Sequence, residues 1–195
     1  MLKGKNVILR AIEANDIPLL HQWRNSPNVL YEAYGEELPP ESLESTKKWA
    51  DSWVNTEFKM MLGVEHQNKL VGMAQYFDMD WRVYRLAEHG VSICDPAAQK
   101  SSVGRDALNT LLGYAFNGMN LHRLWLKLPA YLDSTAEMLI ADFGYVREGR
   151  LREQYYVAGK YVDTVVLGLL RKDYEKSRAV KDLDAVLAGP SLNFI

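Results

Sequence analysis

The chain is poor in cysteine. Cys94 is its only one, so no internal disulfide can form, and this usage suits a reducing, cytoplasmic setting. It lacks an excess of either charge. A net charge of −2 over 195 residues provides no electrostatic basis for nucleic acid or an anionic membrane as the main partner. Long apolar runs are missing too. The opening MLKGKNVILR carries charges where a signal peptide needs an apolar core. The uncharged run Ala107 to His122 is interrupted by three asparagines and two glycines, which disqualifies it as a membrane span. No His-x-x-x-His or Cys/His cluster offers a metal ligand set. Internal repeats, low-complexity tracts and long linkers are absent, so the length fits one domain that buries roughly 70% of its unfolded surface.

The most informative stretch is Val91 to Gly104, VSICDPAAQKSSVG. Val91 and Ile93 alternate with Ser92 and Cys94 in the period of a sheet strand. Asp95-Pro96 stops it, because proline cannot extend a ladder. From Arg105, Ala107, Leu108, Leu111, Leu112, Ala115 and Phe116 recur at helical spacing, predicting a helix from Gly104 to about Asn117. The loop Gln99-Lys100-Ser101-Ser102-Val103-Gly104 thus leads into a helix N-terminus, whose free amides and positive dipole end suit a pyrophosphate.

Around this stretch, Asn6 to Arg10 reads as a strand. Asn15 or Asp16 can cap a helix reaching Trp23. A second helix follows Pro39-Pro40, with Pro40 and Glu41 in its first turn and a stripe of Leu43, Thr46, Trp49, Ala50 and Trp53. Met60 to Glu65 and Leu70 to Phe77 form a hairpin. Residues 86 to 94 alternate, with Glu88, Gly90, Ser92 and Cys94 on one face and Ala87, His89, Val91 and Ile93 on the other. Arg123 to Leu128 is a strand ended by Pro129, and Ser134-x-x-Glu137 offers a capping box for a helix stopped by Gly144. Arg150 to Val157 and Tyr161 to Leu170 are the last strands. Residues 1–174 make one domain, and 175–195 a helical tail with Val180, Leu183, Val186 and Leu187 on one face, suited to docking or a homodimer contact.

Gln99-x-x-Ser102-x-Gly104 resembles the acyl-CoA loop of the GNAT N-acyltransferases, Gln/Arg-x-x-Gly-x-Gly/Ala. The stretch FGYVREGRLREQYYVAGKYVDTVVLGLL is similar to the C-terminal half of that family's ribosomal-protein N-terminal acetyltransferase-like branch. The resemblance covers roughly residues 3 to 174. It implies an α/β (α+β) GNAT fold, a mixed twisted sheet of about six to seven strands with helices on both faces. It implies transfer of an acetyl or other acyl group from acyl-CoA to a primary amine by direct attack. Donor contacts would come from the backbone at Val91, Ser92 and Ile93, from the loop Gln99, Lys100, Ser101, Ser102, Val103, Gly104 and Arg105, and from Asp133. The two N-terminal helices would border the acceptor, with Trp23, Tyr31, Tyr34 and Trp49 shaping specificity, unless the two tryptophans simply fill core.

Attack by an amine requires that it lose a proton. Glu88 is the first candidate base, because a carboxylate on a central strand is expensive to bury without a purpose. The alternative is a salt bridge to Arg82, Arg85 or Arg123. His89 is the second candidate, an imidazole of suitable range on the opposite strand face. Three residues depart from the family pattern: Ser102 replaces a loop glycine, Asp133 an asparagine, and Ile140 a tyrosine that protonates the leaving thiolate. They motivate a rival reading, a non-catalytic acyl-CoA- or partner-binding protein; a second rival keeps catalysis with a longer or carrier-bound donor. The acceptor is left open among small-molecule amines, amino sugars and protein N-termini.

Overall fold

The computed structural model describes residues 1–26, 39–53, 56–99, 101–157 and 159–177. Eight strands form one sheet in the order β1-β2-β3-β4-β5-β6-β8-β7. They are β1 Leu2–Lys3, β2 Ile8–Arg10, β3 Met60–His66, β4 Lys69–Asp80, β5 Leu86–Ile93, β6 Arg123–Pro129, β7 Val146–Val157 and β8 Lys160–Leu170. Every neighbouring pair is antiparallel except β5 and β6. The expected count of six or seven falls short because Leu2–Lys3 also pairs, Leu2 with Leu9 and Lys3 with Ile8. Two residues are too few to show any period. The penultimate strand also starts earlier than expected, at Val146, with register shifts between Arg147 and Gly149 and between Leu151 and Tyr155 that hide the alternation.

Helices cover both faces. On one lie α1 Ile17–Arg24 and α2 Leu43–Asp51. Leu20, Trp23 and Ala50 pack there with Met61, Leu70, Met73 and Cys94 of the sheet side. On the other lie α3 Pro96–Gln99, α4 Val103–Gly113, α5 Asp133–Phe143 and α6 Arg171–Tyr174. Leu108, Leu111 and Leu112 of α4 and Ala136, Leu139 and Phe143 of α5 join Val64, Ala74, Tyr76, Ala87, Leu124 and Leu167 in the larger core. Trp23 is therefore a core residue. Cys94 is fully buried, packed as a small hydrophobe on this side of the sheet.

Several helix ends differ from their sequence signals. The second helix starts at Leu43, because the Ser42 hydroxyl accepts from the Ser45 N–H at 3.1 Å. Such a cap is worth about 1 kcal/mol. Glu41 is left outside and accepts from Arg24 Nε at 2.8 Å, while Leu43, half exposed, falls off the buried stripe. Asp16 does not cap α1; its carboxylate takes Arg10 Nη1 at 2.7 Å and the Glu13 N–H at 2.8 Å. The Ser134 box is likewise unused, because a 3₁₀ turn, Ala130–Leu132, runs straight into α5. Gly144 does close α5, at φ 82, in the left-handed region that favours glycine. The helix α4 gives way to a π turn over Tyr114–Gly118. Of the expected tail, Val180 to Leu187 lies outside the described residues.

Candidate active site

The two central strands part company halfway along. β5 and β6 pair only at Leu86–Arg123, Ala87–Leu124 and Glu88–Trp125. Beyond that, β6 stays with β8 as far as Pro129–Thr164, and β5 stays with β4 as far as Ile93–Gly72. Between His89–Ile93 and Leu126–Pro129 the sheet is therefore split, and backbone groups of β5 face the gap instead of a strand. Peptide groups without ladder partners can hold an amide-bearing chain in the manner of an added strand. Val91 and Ile93 of β5, Leu128 of β6 and Ile140 of α5 are half-buried residues that fringe the larger core, a set of apolar side chains drawn from the elements around the gap.

The phosphate-loop candidates gather where β5 passes into α4. Gln99 Nε2 donates to the Ile93 carbonyl at 3.0 Å. The Ser101 hydroxyl donates to the Ala98 carbonyl at 2.6 Å and accepts from the Val103 N–H at 3.2 Å. Ser102 has φ −74 and ψ 1, so no left-handed residue is needed there and serine replaces glycine without backbone strain. Gly104 lies in the first turn of α4. A Cβ added there would meet Ile93 Cγ1 at 3.4 Å, so the glycine packs the helix start close against β5. The amides of Gly104 and Arg105 belong to the first turn, which has no intrahelical acceptors. Lys100 lies outside the described residues.

Two donor-side candidates are tied elsewhere. Arg105 forms an ion pair with Asp142 of α5. Asp133 accepts from Arg147 Nη2 at 2.6 Å, and the same nitrogen donates to Glu137 at 2.7 Å, so one guanidinium is shared by the two carboxylates. Among the described residues, no group of three or more His, Cys, Asp or Glu side chains comes together as a metal site.

The pleat of β5 sends its two ionisable neighbours to opposite sides. His89 points into the larger core, fully buried, with Nε2 at 2.5 Å from the Tyr145 hydroxyl and Nδ1 unpartnered. Burial holds its pKa down to about 3, so the imidazole is neutral and cut off from water. As the second candidate base, His89 is thus deeply buried and weakly basic, unlike Glu88 on the other face.

Glu88 points to the side of α1 and α2. Its carboxylate is half-buried, and desolvation raises its pKa above the usual range. Lys127 opposes that shift, and the charge of Asp78 adds to it. The ion-pair partner expected among Arg82, Arg85 and Arg123 is instead Lys127, whose Nζ lies 3.6 Å from Glu88 Oε2. Arg82 is paired with Glu57 at 2.6 Å and Arg123 with Glu148, and Arg85 reaches the Asn120 carbonyl at 3.4 Å. Asp78 comes near Glu88 because β4 bulges between Phe77 and Asp80, placing Asp78 at φ 42.

Phe77 is the cross-strand partner of Glu88. Its ring meets Trp53 edge-on at 5.2 Å, and Trp53 meets Trp49 at 6.2 Å. Trp49 is half-buried with the Arg24 guanidinium 4.1 Å over its ring, so it is both packing and wall. Tyr31 and Tyr34 lie outside the described residues. A separate groove of about 590 Å³ between α1 and α2, lined by Ile12, Ile17, Leu43 and Lys47 among others, contains none of the candidate residues. Lys127, Trp125 and Asp78 escaped the sequence reading. The alternation of β6 does put Trp125 and Lys127 on one face, but only the parallel register with β5 brings them to Glu88.

A mixed sheet split between two central parallel strands, with a helix N-terminus at one end of the split and a carboxylate at the other, defines an acyltransferase architecture. The Acetyltransferase (GNAT) domain model matches residues 9–166, and the chain belongs to that family. It is an acetyl-CoA-dependent N-acetyltransferase. A spermidine N(1)-acetyltransferase of Vibrio cholerae is 28% identical over 172 residues, covering 88% of this chain and 96% of the relative. A crystal structure of spermidine N-acetyltransferase from Vibrio cholerae, in complex with CoA and spermine, superposes with a TM-score of 0.78 at 27% identity, covering 88% of this chain and 99% of that one. A putative ribosomal N-acetyltransferase of Bacillus subtilis is 28% identical over 113 residues, covering 58% of this chain and 60% of the relative.

Proposed function

We propose that the acceptor is a small polycationic amine of the polyamine class, and that Glu88 is the base that receives its proton. The observation that carries this reading is the half-buried Glu88 carboxylate at the mouth of the strand gap, beside Phe77 and facing the α1–α2 side. A carboxylate with a raised pKa is a better proton acceptor than an exposed one, and a positively charged amine is drawn to it. Aromatic rings favour the same cation, and Phe77 and Trp53 stand on that side. The sequence between the two N-terminal helices, PNVLYEAYGEEL, contains Glu32, Glu36 and Glu37 and no lysine or arginine. One relative that covers most of the chain acts, by name, on spermidine.

In this mechanism the gap holds the pantetheine arm along β5, with Val91 to Ile93 offering peptide groups. The start of α4 receives the pyrophosphate beside Gly104. The acceptor ammonium approaches from the Phe77 side and gives one proton to Glu88. The neutral nitrogen then attacks the thioester carbonyl, the C–S bond breaks with its electrons on sulfur, and the second proton lost by nitrogen goes to the CoA thiolate. The test presents the protein and acetyl-CoA with spermidine, spermine, an amino sugar and an N-terminal peptide in parallel. Acetylated polyamine by mass spectrometry is the expected product. Preferential acetylation of the sugar or the peptide would overturn the acceptor assignment.

A further inference from the structure

We infer that Lys127 is a second acceptor built into the protein, and that the enzyme acetylates its own Lys127 Nζ when acetyl-CoA is bound and no amine is present. This rests on the reading of the gap and of Glu88 given above. Lys127 lies on β6 two residues past Trp125, the last residue of that strand paired to β5, so it stands on the wall of the open gap. Its side chain turns to the Glu88 face, with Nζ 5.0 Å from the centre of the Trp125 ring and 3.6 Å from Glu88 Oε2. One third of the side chain is exposed, so it is neither locked in the core nor dissolved in bulk water. It is thus a primary ammonium, held at the carboxylate where an external amine must dock.

The chemistry balances as for the external acceptor. The Lys127 ammonium gives one proton to Glu88. The freed pair on Nζ attacks the thioester carbonyl, the C–N bond forms, and the C–S bond breaks with its electrons on sulfur. The second proton lost by nitrogen goes to the CoA thiolate, leaving Nε-acetyl-lysine and CoA. No further reactant is needed. Tethering makes the step intramolecular, which favours it over any encounter between chains. A polyamine competes by displacing Lys127 from Glu88, so the modification belongs to the enzyme with donor but without acceptor. Once acetylated, Lys127 no longer neutralises Glu88, and the added acetyl group crowds the mouth.

The full chain is incubated with isotopically labelled acetyl-CoA alone, and the label is located by peptide mass spectrometry. One acetyl group on Lys127 is expected, forming at least about tenfold faster than on exposed Lys48 of the same chain, at a rate independent of protein concentration. Spermidine should suppress it. The inference is overturned if Lys127 is labelled no faster than Lys48, or if the rate rises with protein concentration. If spermidine is acetylated in a parallel reaction while Lys127 stays unlabelled, this inference falls and the acceptor assignment stands. If neither is labelled, both fall.

Discussion

Glu88 and His89 are neighbours on one strand, and the two faces of β5 give them opposite lives. On the His89 side, helices α4 and α5 seal the sheet. The imidazole is left with a single hydroxyl partner, and burial holds it in the neutral form. On the Glu88 side, the described residues leave the strand partly uncovered. The carboxylate is only half-buried, flanked by Lys127 and Asp78. Burial moves both pKa values toward the neutral form, lowering the histidine and raising the glutamate. Depth alone therefore does not make a catalytic group. A titratable side chain becomes useful when desolvation is partial and a route to substrate remains open.

The sharpest way to break this comparison is to remove the charge on the open side. Glu88→Gln keeps the shape and loses the base. Turnover with a polyamine should fall by about 10²-fold or more, with little change in CoA affinity. In the parent, activity should decline as pH falls through the raised pKa of Glu88, because only the carboxylate accepts a proton. In the variant that acid limb should disappear, and raising the pH should recover part of the loss by deprotonating the amine directly. Unchanged turnover near neutral pH would make the Glu88–Lys127 contact purely structural.

On the sealed side the same test should register in stability, not rate. A histidine whose folded pKa is near 3, against about 6.5 unfolded, takes up a proton more readily when the chain unfolds. Its neutral burial therefore stabilises the fold least at low pH. Stability should be lost as pH falls from about 6.5 toward 3, by up to about 1.4 kcal/mol per pH unit. His89→Gln leaves a partner for the Tyr145 hydroxyl but cannot titrate. Urea midpoints measured between pH 6.5 and 4 should fall less steeply for the variant, with turnover nearly unchanged at neutral pH. A large drop in turnover alone would return His89 to the mechanism.

Period and punctuation were enough to read the alternation of Glu88 and His89, the stop at Asp95-Pro96, and the helix after Gly104. Those are local signals, carried by neighbouring residues. The gap itself was legible only through the resemblance, because it is a failure of pairing between strands whose facing residues, such as Glu88 and Trp125, are far apart in the chain. Lys127 was hidden for the same reason, and so was Asp78, whose approach depends on a bulge in the neighbouring strand. Helix starts misled because Asp16 and Ser134 have capping chemistry, but Arg10 claims the first and a preceding 3₁₀ turn bypasses the second.

The smallest expected effect lies at Ile140, and it asks whether the sealed side could contribute an acid to match the base on the open side. Ile140 stands on α5, half-buried against the same core as Val91, Ile93 and Leu128. Isoleucine has no proton to give the departing thiolate. A CoA thiolate is a fair leaving group near neutral pH, and water reaching the gap can protonate it, so the missing acid limits the rate without stopping the reaction. Ile140→Tyr would bring a hydroxyl from the His89 side toward the sulfur. The larger ring must fit among those half-buried residues, and overpacking typically costs 1–3 kcal/mol of stability. We expect turnover to rise by a few-fold, well below the ~10²–10⁴-fold of a well-placed acid. The gain should be greatest at high pH, where solvent protons are scarce, and should fade above the tyrosine pKa. A rate that is unchanged in a correctly folded variant would mean that protonation of sulfur is not limiting, and that proton removal at Glu88 alone sets the pace.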